Sequence, residues 1–192
     1  RLLVLHLTLT SADIIYRTNS SFTSIYVERS RHLLCLRFLL APAPPEGCVD
    51  TLDRHRIVFE YTQRIVGASV LLLSRSPQKI LVLGLGCGTL ARAFEALYPD
   101  AHVHNVEVDE GVVATATRFF GVRRSTITPQ DAYEYIRATT YRYDLIVADA
   151  FDSAYIPHHL RSSTFFKHIR SAMAPRGLLI ANTRRVCPTD GA

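Results

Sequence analysis

From Lys79 onward the chain alternates between short apolar runs and helix-periodic segments, and this rhythm restricts the fold more than any other feature. Ile80 to Leu83 is wholly apolar, as suits a parallel strand covered on both faces. Helix Leu90 to Tyr98 follows, then strand His102 to Val108, helix Gly111 to Phe120 and strand Ser125 to Thr128. Helix Ala132 to Thr139, strand Leu145 to Ala148, helix Ser163 to Met173 and strand Leu178 to Ala181 complete the series. Five strands with intervening helices predict a doubly wound, mainly parallel α/β sheet with right-handed crossovers. Ligands on such sheets bind at the carboxyl ends of the strands, near the point where the strand order reverses.

The first part of the chain reads differently. Ile14 to Tyr16, Ser24 to Val27 and Leu33 to Leu39 are short alternating stretches separated by polar clusters, the pattern of antiparallel hairpins. The prolines of Ala41 to Gly47 then exclude helix and sheet interior. The spacing of Ile57, Tyr61, Ile65, Ala68 and Leu72 predicts a helix from Arg56 to Leu73. The expected division is a β-rich piece over 1–53 and a cofactor-binding domain over 54–192.

Of the 192 residues, 48% are apolar and 20% charged, enough to bury a core and too ordered a balance for a disordered chain. The longest apolar stretch near the start, Leu2 to Leu9, is broken by His6 and Thr8, so no membrane span is expected. The chain begins with Arg1 and shows no secretory pattern, which points to a fragment. Cys35, Cys48, Cys87 and Cys187 form no CxxC pair, so no metal site is expected; idle thiols in a reducing cytoplasm are favoured over a disulfide. The net charge of +5 comes from twenty Arg and two Lys, mostly isolated, which argues against a nucleic-acid partner.

The chemistry lies at the strand ends. Gly84-Leu85-Gly86-Cys87-Gly88-Thr89 places glycines at alternate positions, permitting a sharp turn and close ligand approach before a helix N-terminus. Its GxGxG spacing fits a nucleoside-sulfonium site better than the GxGxxG of dinucleotide sites. Glu107, closing the second strand, could accept hydrogen bonds from both ribose hydroxyls, while Asp109 fits better as a helix cap. Asp131, before Ala132, suits an adenine amine and a helix cap equally. Asp149 stands at the lip of the fourth strand, where desolvation would make it a stronger base, with Asp152 close behind. A surface pairing of these two carboxylates with arginines is the plainer alternative.

These residues, with Lys79 to Leu90, Val106 to Asp109, Asp131-Ala132, Tyr143 to Ile146, Asp149 to Asp152 and Ala174 to Leu179, resemble the spermidine synthase family, especially its spermidine synthase-like branch. The resemblance runs from about Tyr61 to Asn182. It implies a methyltransferase-like Rossmann fold that binds decarboxylated S-adenosylmethionine and transfers an aminopropyl group to a polyamine such as putrescine. By position, it implies that Gly84, Gly86, Gly88, Glu107, Asp131 and Ala132 bind the cofactor. Asp149 would be the catalytic base, helped by Tyr61, and Asp152 would hold the amine. Family members are often dimers or tetramers, so the resemblance allows a homodimer without fixing the oligomeric state.

The departures are specific. Cys87 stands where the family has an aspartate that contacts the cofactor's amine, and Asp149-Ala150-Phe151-Asp152-Ser153 replaces Asp-Ser-Ser-Asp-Pro. They keep two further readings open: an S-adenosylmethionine-dependent methyltransferase and a non-catalytic module of the same fold. The fold ordinarily adds two strands after the fifth, so truncation at the C-terminus is expected for a chain ending at Ala192.

Overall fold

The computed structural model describes residues 12–150 and 157–182. Four antiparallel strands, β1 (Asp13–Asn19), β2 (Ser24–Ser30), β3 (Leu33–Arg37) and β4 (Gly47–Asp50), form one sheet in chain order. Helix α1 (Glu60–Leu72) leads into β5 (Lys79–Leu83), α2 (Thr89–Leu97), β6 (His102–Glu107), α3 (Glu110–Phe119) and β7 (Thr126–Pro129). Then come α4 (Ala132–Ala138), β8 (Tyr143–Ala148), a single 3-10 turn at His158–Arg161, α5 (Ser163–Ala172) and β9 (Met173–Ala181). The second sheet is parallel throughout, in the order β7-β6-β5-β8-β9. The expected α/β sheet is therefore present, and its order reverses between β5 and β8.

Central β5 explains the apolar run: Ile80 to Leu83 are all buried, with Leu81 and Leu83 in one core cluster and Ile80 and Val82 in another. Alternate side chains enter opposite faces of the sheet. The starts of α3, α4 and α5 follow from short polar caps. Asp109 Oδ1 accepts from Gly111 N at 2.8 Å, Asp131 Oδ1 from Tyr133 N at 2.8 Å, and Ser162 Oγ from Phe165 N at 3.1 Å.

Three expectations are corrected. The helix expected from Arg56 begins only at Glu60, because Ile57 bridges to Val49 and Arg56 pairs with Asp50, which draws this segment to the edge of the first sheet. The last strand begins at Met173 rather than Leu178; Met173 pairs with Tyr143 and Leu178 with Leu145, and the residues between them loop out. Two thiols are not idle: Cys35 lies directly opposite Cys48 in the β3–β4 register, and they form a disulfide. Replacing both with alanine should lower stability by about 2–4 kcal/mol. Denaturant unfolding would register this as a lower midpoint with a reducing agent as well, and an unchanged midpoint in both cases would refute it.

The two sheets share a core. Ile25, Val27, Leu34, Leu36 and Val49 of the first sheet pack with Cys87, Val112 and Phe120 of the second unit. Ser20 Oγ also donates to Asp109 Oδ2 at 2.5 Å, tying the β1–β2 turn to the start of α3. No helix among the described residues is long and apolar enough to cross a membrane.

Candidate active site

The reversal between β5 and β8 brings the glycine loop against Asp149. Asp149 N donates to Leu83 O at 2.9 Å, and a Cβ on Gly84 would lie 2.5 Å from the Asp149 carbonyl oxygen. Gly84 has φ +99°, so both its backbone angle and its surroundings demand glycine. Gly88, the N-cap of α2 at φ +71°, abuts Val122, whereas a Cβ on Gly86 would meet nothing within 4 Å. Thus Gly84 and Gly88 fit the loop to the protein, and Gly86 leaves open the space that a ligand would enter.

On the neighbouring strand, Glu107 is held at both oxygens. Leu85 N donates to Oε2 and Asp109 N to Oε1, each at 3.0 Å. Burial raises its pKa, outweighing the amide hydrogen bonds from Asp109, Leu85 and Gly86 that favour the charge. Both oxygens keep a lone pair for further donors, such as vicinal hydroxyls. Asp109 is a cap, as its position suggested.

Asp131 caps α4 through Oδ1, while Oδ2 receives His159 Nε2 at 3.1 Å. A ligand amine at that carboxylate would have to share Oδ2 with His159. Ala132 is buried at the start of α4, beside Leu83 and Val106.

Asp149 is a second raised carboxylate of the group. Burial pushes its pKa up to about 6, against the stabilising hydrogen bond that Asn182 Nδ2 donates to Oδ1 at 2.8 Å. Tyr61, 38% exposed at the start of α1, has its phenol raised by burial first and then by Asp149, Cys87 and Glu46. The described structure therefore gathers Tyr61, Cys87, Glu46 and Asp149 within electrostatic reach, and the phenol stays protonated. Asp152 lies outside the described residues.

Sequence reasoning missed two members. Glu46 sits in a proline-rich stretch read only as a break, and Asn182 follows the last strand. The signal for Asn182 was available: it stands one residue beyond β9, next to β8, at a carboxyl end.

Residues 58–189 match the family model described as the spermine/spermidine synthase domain. The chain belongs to the spermine/spermidine synthase family. A polyamine aminopropyltransferase of Vibrio vulnificus is 32% identical over 180 residues, covering 90% of this chain and 60% of that protein. The structure of a probable spermidine synthase from Corynebacterium glutamicum superposes with a TM-score of 0.78 at 24% identity, over 88% of this chain and 63% of that one. A spermidine synthase in complex with the transition-state analogue AdoDATO gives 0.64 at 20% identity, over 83% and 54%. This member of the spermidine synthase family thus spans about 60% of the Vibrio protein's length.

Proposed function

We propose that this chain carries the site of a polyamine aminopropyltransferase, which binds decarboxylated S-adenosylmethionine and transfers its aminopropyl group to a small amine such as putrescine. The observation that carries this reading is the half-buried Asp149 carboxylate, its pKa raised, within electrostatic reach of Tyr61 at the strand ends where Gly86 leaves open space and Glu107 is fixed. A nucleoside suits that arrangement: Glu107 would hold the ribose hydroxyls, and the glycine loop would let the sulfonium portion approach the backbone. When bound, the cofactor supplies a methylene carbon activated by a thioether leaving group.

An alkyl ammonium has no free electron pair and cannot attack that carbon. Asp149 accepts its proton, which converts it to an amine. The nitrogen then forms the new C–N bond as the C–S bond breaks, and the bonding pair stays on sulfur as neutral methylthioadenosine. A pKa of about 6 leaves Asp149 mostly ionised at neutral pH, yet more basic than an ordinary carboxylate. The protonated Tyr61 phenol can hold the amine or the acid without adding negative charge.

One observation favours a second reading. Cys87, at the position of the family's amine-contacting aspartate, is 3% exposed, packs with the first sheet and brings no fixed charge. That suits a cofactor which keeps its carboxylate, and hence methyl transfer. Titration with the two cofactors separates the readings. Tighter binding of the decarboxylated form, a higher melting temperature with it, and methylthioadenosine release with putrescine are expected. Preference for S-adenosylmethionine, or absence of methylthioadenosine, would overturn aminopropyl transfer.

A further inference from the structure

A cavity of about 270 Å³ lies outside this site, between the 54–57 segment and helices α1 and α2. Arg54, His55, Arg56, Thr89 and Arg92 line it, and no carboxylate does. The basic residues are not equivalent. Arg56 is paired with Asp50 at 3.1 Å. Arg92 spends Nη1 on the carbonyls of Cys87 at 2.7 Å and Phe120 at 3.0 Å, while its Nη2 makes only a 3.5 Å contact to Thr89 Oγ1.

The Arg54 guanidinium has no hydrogen bond or ion pair among the described residues. It lies over Gly121, where a Cβ would come within 2.9 Å of Arg54 Nη1. Burial pulls Arg92 below its ordinary range and the charge of Arg54 adds to this, while Cys87 and, more weakly, Glu95 work against it. Two like charges therefore line one cavity, and no carboxylate lines it with them. The lining also includes the apolar side chains of Ile57, Val66 and Leu97.

We propose that this cavity binds a small organic phosphate, with the phosphate between Arg54 and Arg92 and a compact apolar body against Ile57, Val66 and Leu97. Guanidinium is the side chain best matched to a phosphate, because its N–H groups form parallel charge-assisted bonds. The volume is at the small end for ligand sites, which fits a body no larger than one ring. Through Thr89, the first residue of α2, the ligand would touch the end of the glycine loop.

Calorimetric titration of the chain with phenyl phosphate and with inorganic phosphate tests this. Phenyl phosphate should bind at one site and more tightly than inorganic phosphate. Arg54→Ala, an exposed position, should weaken it by about tenfold or more. Ala96→Glu, which puts a carboxylate at the cavity wall, should abolish it. Arg137→Ala, whose guanidinium pairs with Glu134 on α4, should leave it unchanged. The proposal falls if the folded parent binds no phenyl phosphate, if inorganic phosphate binds as tightly, if Arg54→Ala and Ala96→Glu keep parental affinity, or if Arg137→Ala weakens binding equally. Far-UV circular dichroism confirms that each variant is folded.

Discussion

Asp149→Asn is expected to lower aminopropyl transfer by about 10²–10⁴-fold, the usual contribution of a positioned general base. Cofactor binding should change little, so the loss belongs to kcat. In the parent, activity should rise about tenfold per pH unit below about 6 and level off above it, because the base must be ionised. That limb should vanish in the variant. Retained activity, or an unchanged acid limb, would remove Asp149 from the mechanism.

The same change should stabilise the fold. The unfolded carboxyl titrates near 3.8 and the folded one near 6, so between these values the native state holds more protons and stability falls as pH rises. Above about pH 6 the full cost of burying the charge, about 3 kcal/mol, is present. Asparagine is neutral and can still accept the hydrogen bond from Asn182 through its carbonyl oxygen. Asp149→Asn should therefore melt higher than the parent at pH 7 and equally at pH 4. A lower melting temperature at pH 7 would contradict the burial of this charge.

Gly84→Ala carries the second large effect. At φ +99° an L side chain is strained, and its methyl would meet the Asp149 carbonyl at 2.5 Å, a backbone atom that cannot rotate away. Strain and overpacking together should cost about 3–5 kcal/mol. At about 2–4 °C per kcal/mol, the melting temperature should fall by roughly 6–20 °C. Displacing Asp149 should also reduce activity in whatever protein remains folded. Gly86→Ala, at a position open to space, should by comparison keep more of the fold and lose ligand affinity. Equal thermal losses at the two glycines would contradict this division of roles.

The parallel sheet was legible because its central strands β5 and β8 are buried and α3, α4 and α5 carry short polar caps. Glu107 and Asp149 drew notice because each stands at the carboxyl end of a strand, and the structure places both at those ends. The Cys35–Cys48 bridge was not, because spacing does not reveal which strands pair; only the β3–β4 register brings these residues opposite one another. Strand β4 was too short to show alternation, with four residues including a glycine and a cysteine. Asp131 was undecidable, since a cap and a ligand contact ask for the same residue at the same place, and its Oδ1 proves to be the cap.

The packing of Cys87 under the first sheet has a consequence for affinity. A Cβ on Gly47 would meet Cys87 Sγ at 2.5 Å, so β4 lies directly on the glycine loop. Free glycines lose more conformational freedom on ordering than any other residue, and fixing three such backbones costs roughly 3–6 kcal/mol. Here that entropy is lost when the chain folds, under the weight of a hydrophobic core, and not when a ligand arrives. The small antiparallel sheet thereby preorganises a loop to which it contributes no residue, and a ligand entering there would meet a turn already set in shape.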